Sequence, residues 1–114
     1  MTPFSDKNYF HEILYQDGDN KVLYCFECHS FHVYYGTMSF DISKCGIKSL
    51  AGHLKQLQYK YEGAIDSKSR CIEVDTPYPT IRLLLSIEDL QHLGGMLRHS
   101  YLIFEERHWK AQYN

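Results

Sequence analysis

Thr37-Met38-Ser39-Phe40-Asp41-Ile42-Ser43, continued by an apolar rhythm at Ile47, Leu50, Leu54, Leu57 and Tyr61, decides the fold of this chain. Strict alternation up to Ile42 marks a half-buried strand, and the change to spacings of three and four marks an amphipathic helix. Ser43 stands at the switch, where a hydroxyl accepts a backbone N–H that the first helical turn leaves unpaired. Forty-three positions on, Thr80-Ile81-Arg82-Leu83-Leu84-Leu85-Ser86 repeats the strand and its serine, and Leu90, Leu93 and Leu97 fall opposite Ile47, Leu50 and Leu54. Five of the 18 aligned positions are identical. Two readings of this echo stand: an internal duplication, or the pattern shared by any strand that enters a serine-capped helix.

The second cap is the stronger, because Ser86-Ile87-Glu88-Asp89 places two carboxylates in the first turn, where the helix dipole favours them. The first has Lys44-Cys45-Gly46 instead, which predicts a weaker or later start. Upstream, Ile13-Leu14-Tyr15 and Val22-Leu23-Tyr24 flank Asp17-Gly18-Asp19-Asn20 and read as a hairpin. His29, Phe31, Val33 and Tyr35 then share one face of a third strand, and Gly36 permits a tight turn into the fourth. Ile72 and Val74 form a strand that turns through Thr76-Pro77-Tyr78-Pro79 to Ile81, Leu83 and Leu85. Short links between strands imply antiparallel pairing.

The fold class is therefore α+β, an antiparallel sheet with two amphipathic helices on one face, in the order ββ-ββα-ββα. Residues 1–10 read as a flexible N-terminal arm and 11–114 as one domain. The outward face of the sheet is expected to carry His32, Tyr34, Ser39, Asp41, Glu73 and Arg82.

At 114 residues, 44% hydrophobic and 23% charged, the composition is that of a globular domain able to build a core without disulfides. A net charge of −2 argues against a duplex-DNA binder, which needs a basic stripe to displace counterions. Met1-Thr2-Pro3-Phe4-Ser5-Asp6-Lys7 lacks a positive cap followed by an apolar run, and no apolar segment approaches the roughly 20 residues of a membrane span. The expected location is cytoplasmic, where the four cysteines stay thiols or metal ligands.

Cys25-Phe26-Glu27-Cys28-His29 is the most chemical motif. As a string it matches a c-type haem attachment site, yet that needs export and a helical setting. A redox dithiol needs a helix N-terminus, and this pair lies between strands. A zinc knuckle fits better, since a C-x2-C turn offers both sulfurs to one ion, but a tetrahedral site needs two further ligands. The metal set read from sequence is Cys25, Cys28, Cys71 and His29, with His11, His32 and Cys45 as other lone candidates. Cys71 enters because it falls opposite Cys28 in the echo. A knuckle-shaped turn without metal, with Cys71 as a small buried hydrophobe, is the competing reading.

The run Cys25-x-x-Cys28, Phe31-x-Val33-x-Tyr35-Gly36, Met38-x-Phe40-x-Ile42-Ser43 resembles a family of small uncharacterised proteins from Bacteroidota-type bacteria. Ile81-x-Leu83-x-Leu85-Ser86-x-Glu88-x-Leu90-x-x-Leu93 is similar to that family's closing strand and helix. The resemblance implies a bacterial, cytoplasmic, single-domain protein without an assigned activity, and it supplies no catalytic residues.

The outer face of the second helix collects Gly95, Leu102 and Ile103, with Trp109 beyond. Either this helix is buried on both sides, or these four residues form the interface of a homodimer, with Gly95 allowing close backbone approach. Cys45 beside Lys44 has no identifiable base, and His92, His99 and His108 are spaced too widely to share an ion. No phosphate loop, G-x-S-x-G or H-E-x-x-H occurs. The sequence thus favours a non-enzymatic binding or adaptor domain of unknown partner, homodimeric and off the membrane. A zinc-binding structural or sensing protein is the first alternative. The second is a single-stranded RNA surface with Tyr24 and Tyr34 as stacking residues, disfavoured by Asp41 and Glu73 on the same face.

Overall fold

The computed structural model describes residues 11–76 and 79–113, the side chains of 109–113 excepted. The expected arm at 1–10, Pro77 and Tyr78 of the later turn, and the Trp109 side chain lie outside the described residues. The elements run β1 (His11–Asp17), β2 (Asn20–Cys25), β3 (Ser30–Tyr35), β4 (Met38–Ile42), α1 (Lys44–Tyr61), β5 (Ile72–Asp75), β6 (Arg82–Leu85) and α2 (Ile87–Tyr113). The α+β order is the one the periodicities predict. Both helices begin directly after their serines, at the spacing of the echo. Where a single sheet was expected, the strands form an antiparallel sheet β1-β2-β3-β4 and a separate hairpin β5-β6. The hairpin's two four-residue strands pair with each other along their whole length. No helix among the described residues is long and apolar enough to cross a membrane.

Two compact units share the chain: one runs up to Lys48 and resumes at Met96, and the other is Ser49–Gly95. In the first, Val22, Tyr24, Phe31 and Val33 are buried on one face of the four-stranded sheet. Phe104 of α2 packs on them, its ring centroid 4.2 Å from Tyr24 and 5.3 Å from Phe31. Each such side chain contributes on the order of 2 kcal/mol through apolar burial. Tyr24 is only 4% exposed, so it is no stacking platform. It shares a face with Val22, whereas Tyr34 pairs with Lys21 on the opposite one.

A bulge interrupts β1. Ile13 pairs with Leu23 but Tyr15 pairs with Val22, leaving Leu14 as the extra residue. A bulge changes which face later residues use. His11 and Ile13 therefore share the outer face with Leu23, while Tyr15 turns inward to meet His99 edge-on at 5.9 Å. Glu12 points inward too, and its carboxylate receives Arg107 and His108 from α2, each at 2.5 Å.

In the second unit Ile72, Val74 and Leu85 of the hairpin are buried with Ala51 and Leu54 of α1 and Leu90 and Leu93 of α2. A Cβ at Gly94 would stand 3.8 Å from the Leu54 Cβ, an ordinary contact. The α2 cap is reciprocal: Asp89 N–H donates to Ser86 Oγ and Ser86 N–H donates to Asp89 Oδ2, both at 3.0 Å. Arg70 Nε donates to the same Oδ2 at 3.0 Å. At α1 the expected weaker cap is a one-way bond, Gly46 N–H to Ser43 Oγ at 3.0 Å, on an exposed serine.

Of the residues expected at a dimer interface, Leu102 is 53% exposed, Gly95 is exposed with open space at its Cβ position, and Ile103 is half-buried. Burial on both sides of α2 is thus not how Leu102 is accommodated.

Three outcomes are expected in urea unfolding. Ser86→Ala costs about 1–2 kcal/mol, because the Asp89 backbone N–H loses its buried acceptor at Ser86 Oγ, and Ser43→Ala costs less. Gly52→Ala, at an exposed helical glycine with open space around it, stabilises by about 1 kcal/mol. Burial pushes the Glu12 carboxyl up, but the Arg107 and His108 hydrogen bonds and charges outweigh it and hold its pKa below the ordinary range. A depressed carboxylate stabilises above its unfolded pKa and loses that contribution as pH falls through the folded one. Glu12→Gln is therefore expected to cost about 1 kcal/mol at neutral pH and to shrink the difference from wild type in strong acid.

Candidate metal centre

Because Tyr24 faces inward, the next residue of β2 must face outward. Cys25 does so while remaining buried, at 4% exposure. Its Cα partner across β1 is His11, and across β3 it is Ser30. His32, two residues beyond Ser30, returns to the same face. The ligand atoms of His11, Cys25 and His32 all lie within 4.8 Å of one another, and the two imidazoles meet edge to face at 5.6 Å.

The knuckle turn adds a fourth group. Cys28 N–H donates to Cys25 Sγ at 3.2 Å, which folds the turn back on the first sulfur. His29 completes it with φ +56°, a left-handed conformation uncommon outside glycine, and the turn holds it there. Cys28 Sγ then lies 3.6 Å from His32 Nε2. Zinc at its usual bond lengths of about 2.3 Å to sulfur and 2.0 Å to nitrogen needs tetrahedral edges of about 3.3–3.8 Å. The Cys28–His32 pair already has that spacing, whereas the atoms of His11, Cys25 and His32, within 4.8 Å of one another, would draw closer around an ion.

Behind His32 stands Asp41 of β4, its Oδ1 2.5 Å from Nδ1. That contact sets the orientation of the ring and turns Nε2 toward Cys28. A carboxylate behind an imidazole orients a metal ligand and raises its basicity. Burial pushes the Cys25 thiol up, yet hydrogen bonds from the Cys28 thiol and amide, with His32 and the Glu27 amide, outweigh it and bring the pKa to about 6. The Cys28 thiol moves the opposite way, because its proton is held by the hydrogen bond to Cys25. Two thiols that share a proton in this manner titrate as a pair, and thiolate is the form that binds a metal.

The set read from sequence overlaps this group in part. Cys25 and Cys28 belong to it, while His29 lines a cavity with Phe26, Phe104 and His108, and Cys71 is exposed just before β5 in the other unit. His11 and His32 take the two remaining places around the knuckle. For His32 the signal was present, since its parity matches Cys25 across the turn. For His11 it was hidden: counting back from Asp17 opposite Asn20 pairs His11 with Phe26, and only the bulge brings it opposite Cys25. Cys45 is exposed in the first turn of α1, outside the group.

No curated protein and no solved structure matches the chain significantly. Residues 9–110 match DUF6686, a family of unknown function, so the chain belongs to that uncharacterised family.

Proposed function

We propose that this protein is a zinc-binding domain, in which one ion held by Cys25, Cys28, His11 and His32 serves structure or sensing. The observation that carries the reading is the convergence of donors from β1, β2, β3 and their knuckle turn on one outer patch, with Asp41 behind one of them. Two thiolates and two imidazoles in a tetrahedral arrangement suit zinc better than magnesium or calcium, which prefer oxygen. Four protein ligands fill the coordination shell, which fits a structural or sensing site rather than a catalytic one with an open position. The ion would tie three strands together at one end of the sheet, and it would hold the start of β1, whose next residue, Glu12, receives Arg107 and His108.

Elemental analysis of protein purified without chelator is expected to give about one zinc per chain, and a chelator is expected to lower the Tm reversibly. Cys25→Ser and His32→Ala should each abolish stoichiometric binding, whereas Asp41→Asn should keep the ion with about 10- to 100-fold weaker affinity. Absence of zinc both as purified and after titration into the reduced apoprotein would overturn the reading. Retention by His11→Ala at wild-type affinity would remove that residue from the set.

A further inference from the structure

The knuckle turn has a second side. Phe26 and His29 wall a half-open cavity of about 580 Å³, bounded on its other sides by residues of α1 and α2 within the same unit. Its apolar lining is a continuous run of rings. Tyr24 meets Phe26 edge-on at 5.0 Å and Phe104 at 4.2 Å, while His108 lies 4.5 Å from Phe104 and 5.3 Å from Phe26. The Glu12 bond at Nε2 fixes the His108 ring, so this wall is preorganised. A cavity of this volume lined by aromatic rings is of the size that takes a small planar ligand.

The charges select the ligand's sign. Lys48 is already answered, by Glu105 at 2.7 Å. Lys44 is not: its Nζ lies 5.4 Å over the Phe104 ring, and no carboxylate among the described residues pairs with it. A cationic ligand would meet that ammonium where an aromatic cage offers its rings. An anionic group would pair with it. The first turn of α1 carries no acidic residue, so the positive end of the helix beside Lys44 is not neutralised from within. The missing carboxylate in Lys44-Cys45-Gly46, an anomaly of the sequence, thereby gains a physical role.

We propose that the cavity between the knuckle turn and the two helices binds a small aromatic anion, its ring against Phe104 and Phe26 and its carboxylate or phosphate on Lys44. The proposal rests on side-chain packing and charge, not on the identity or presence of a metal.

Three probes with one ring system and three charges test it: indole-3-acetate, indole-3-acetamide and tryptamine, titrated into the full-length protein by calorimetry and followed by amide NMR. The acetate is expected to bind saturably, with shifts centred on Phe26, His29 and Phe104. The neutral amide is expected to bind about tenfold more weakly, and tryptamine not measurably. Lys44→Ala, at an exposed position whose loss leaves the core intact, should cost the acetate about tenfold while leaving the amide unchanged. Phe26→Ala should weaken acetate and amide alike. No saturable acetate binding to folded protein, equal binding of all three probes, or an unchanged acetate affinity in Lys44→Ala would each overturn it. Running the titration with and without bound zinc separates this outcome from the fate of the metal reading.

Discussion

The packing of Phe104 against Tyr24 and Phe31 is the contact on which the first unit depends. Once those rings are committed to the interior, the two-residue period of a strand leaves no choice for their neighbours. Cys25 must emerge on the far side of the sheet, and so must His32. The chemistry of the outer face is in that sense a by-product of how the inner face is packed. Tyr24 and Phe104 also line the cavity beside α1, so one aromatic cluster bears on both surfaces of the sheet.

The knuckle turn shows how few residues are needed to serve two surfaces. Cys25 and Cys28 are drawn together by the amide of one and the sulfur of the other, and Phe26 and His29 wall the cavity. A left-handed residue at the end of the turn allows the chain to rejoin β3 at Ser30 without lengthening the loop. Histidine there costs more backbone strain than glycine would, and it places an imidazole on the cavity wall.

Much of this architecture was legible in the residues. The switch of period at Ser43 and again at Ser86 located both helices, and the contrast between Glu88-Asp89 and Lys44-Cys45 correctly ranked the two caps. What escaped was tertiary. A count of alternating residues does not reveal that β5 and β6 pair only with each other, because the same hydrophobic pattern serves one sheet or two. Parity along β2 is readable, yet a half-polar ring such as Tyr24 carries no marker of which side it will occupy. Nearness in sequence favours His29 as a ligand, and the echo favours Cys71. Spatial nearness favours His11 and His32, through a hairpin register that an extra residue had shifted.

That extra residue, Leu14, gives β1 a one-sided tolerance of length. Its removal would straighten the strand yet leave Ile13 opposite Leu23, Glu12 opposite Tyr24 and His11 opposite Cys25. A further residue inserted at the same place would exchange the sides of that histidine and glutamate and disarm both surfaces at once. Natural variation in this stretch should accordingly include loss of the spare residue far more readily than gain of another.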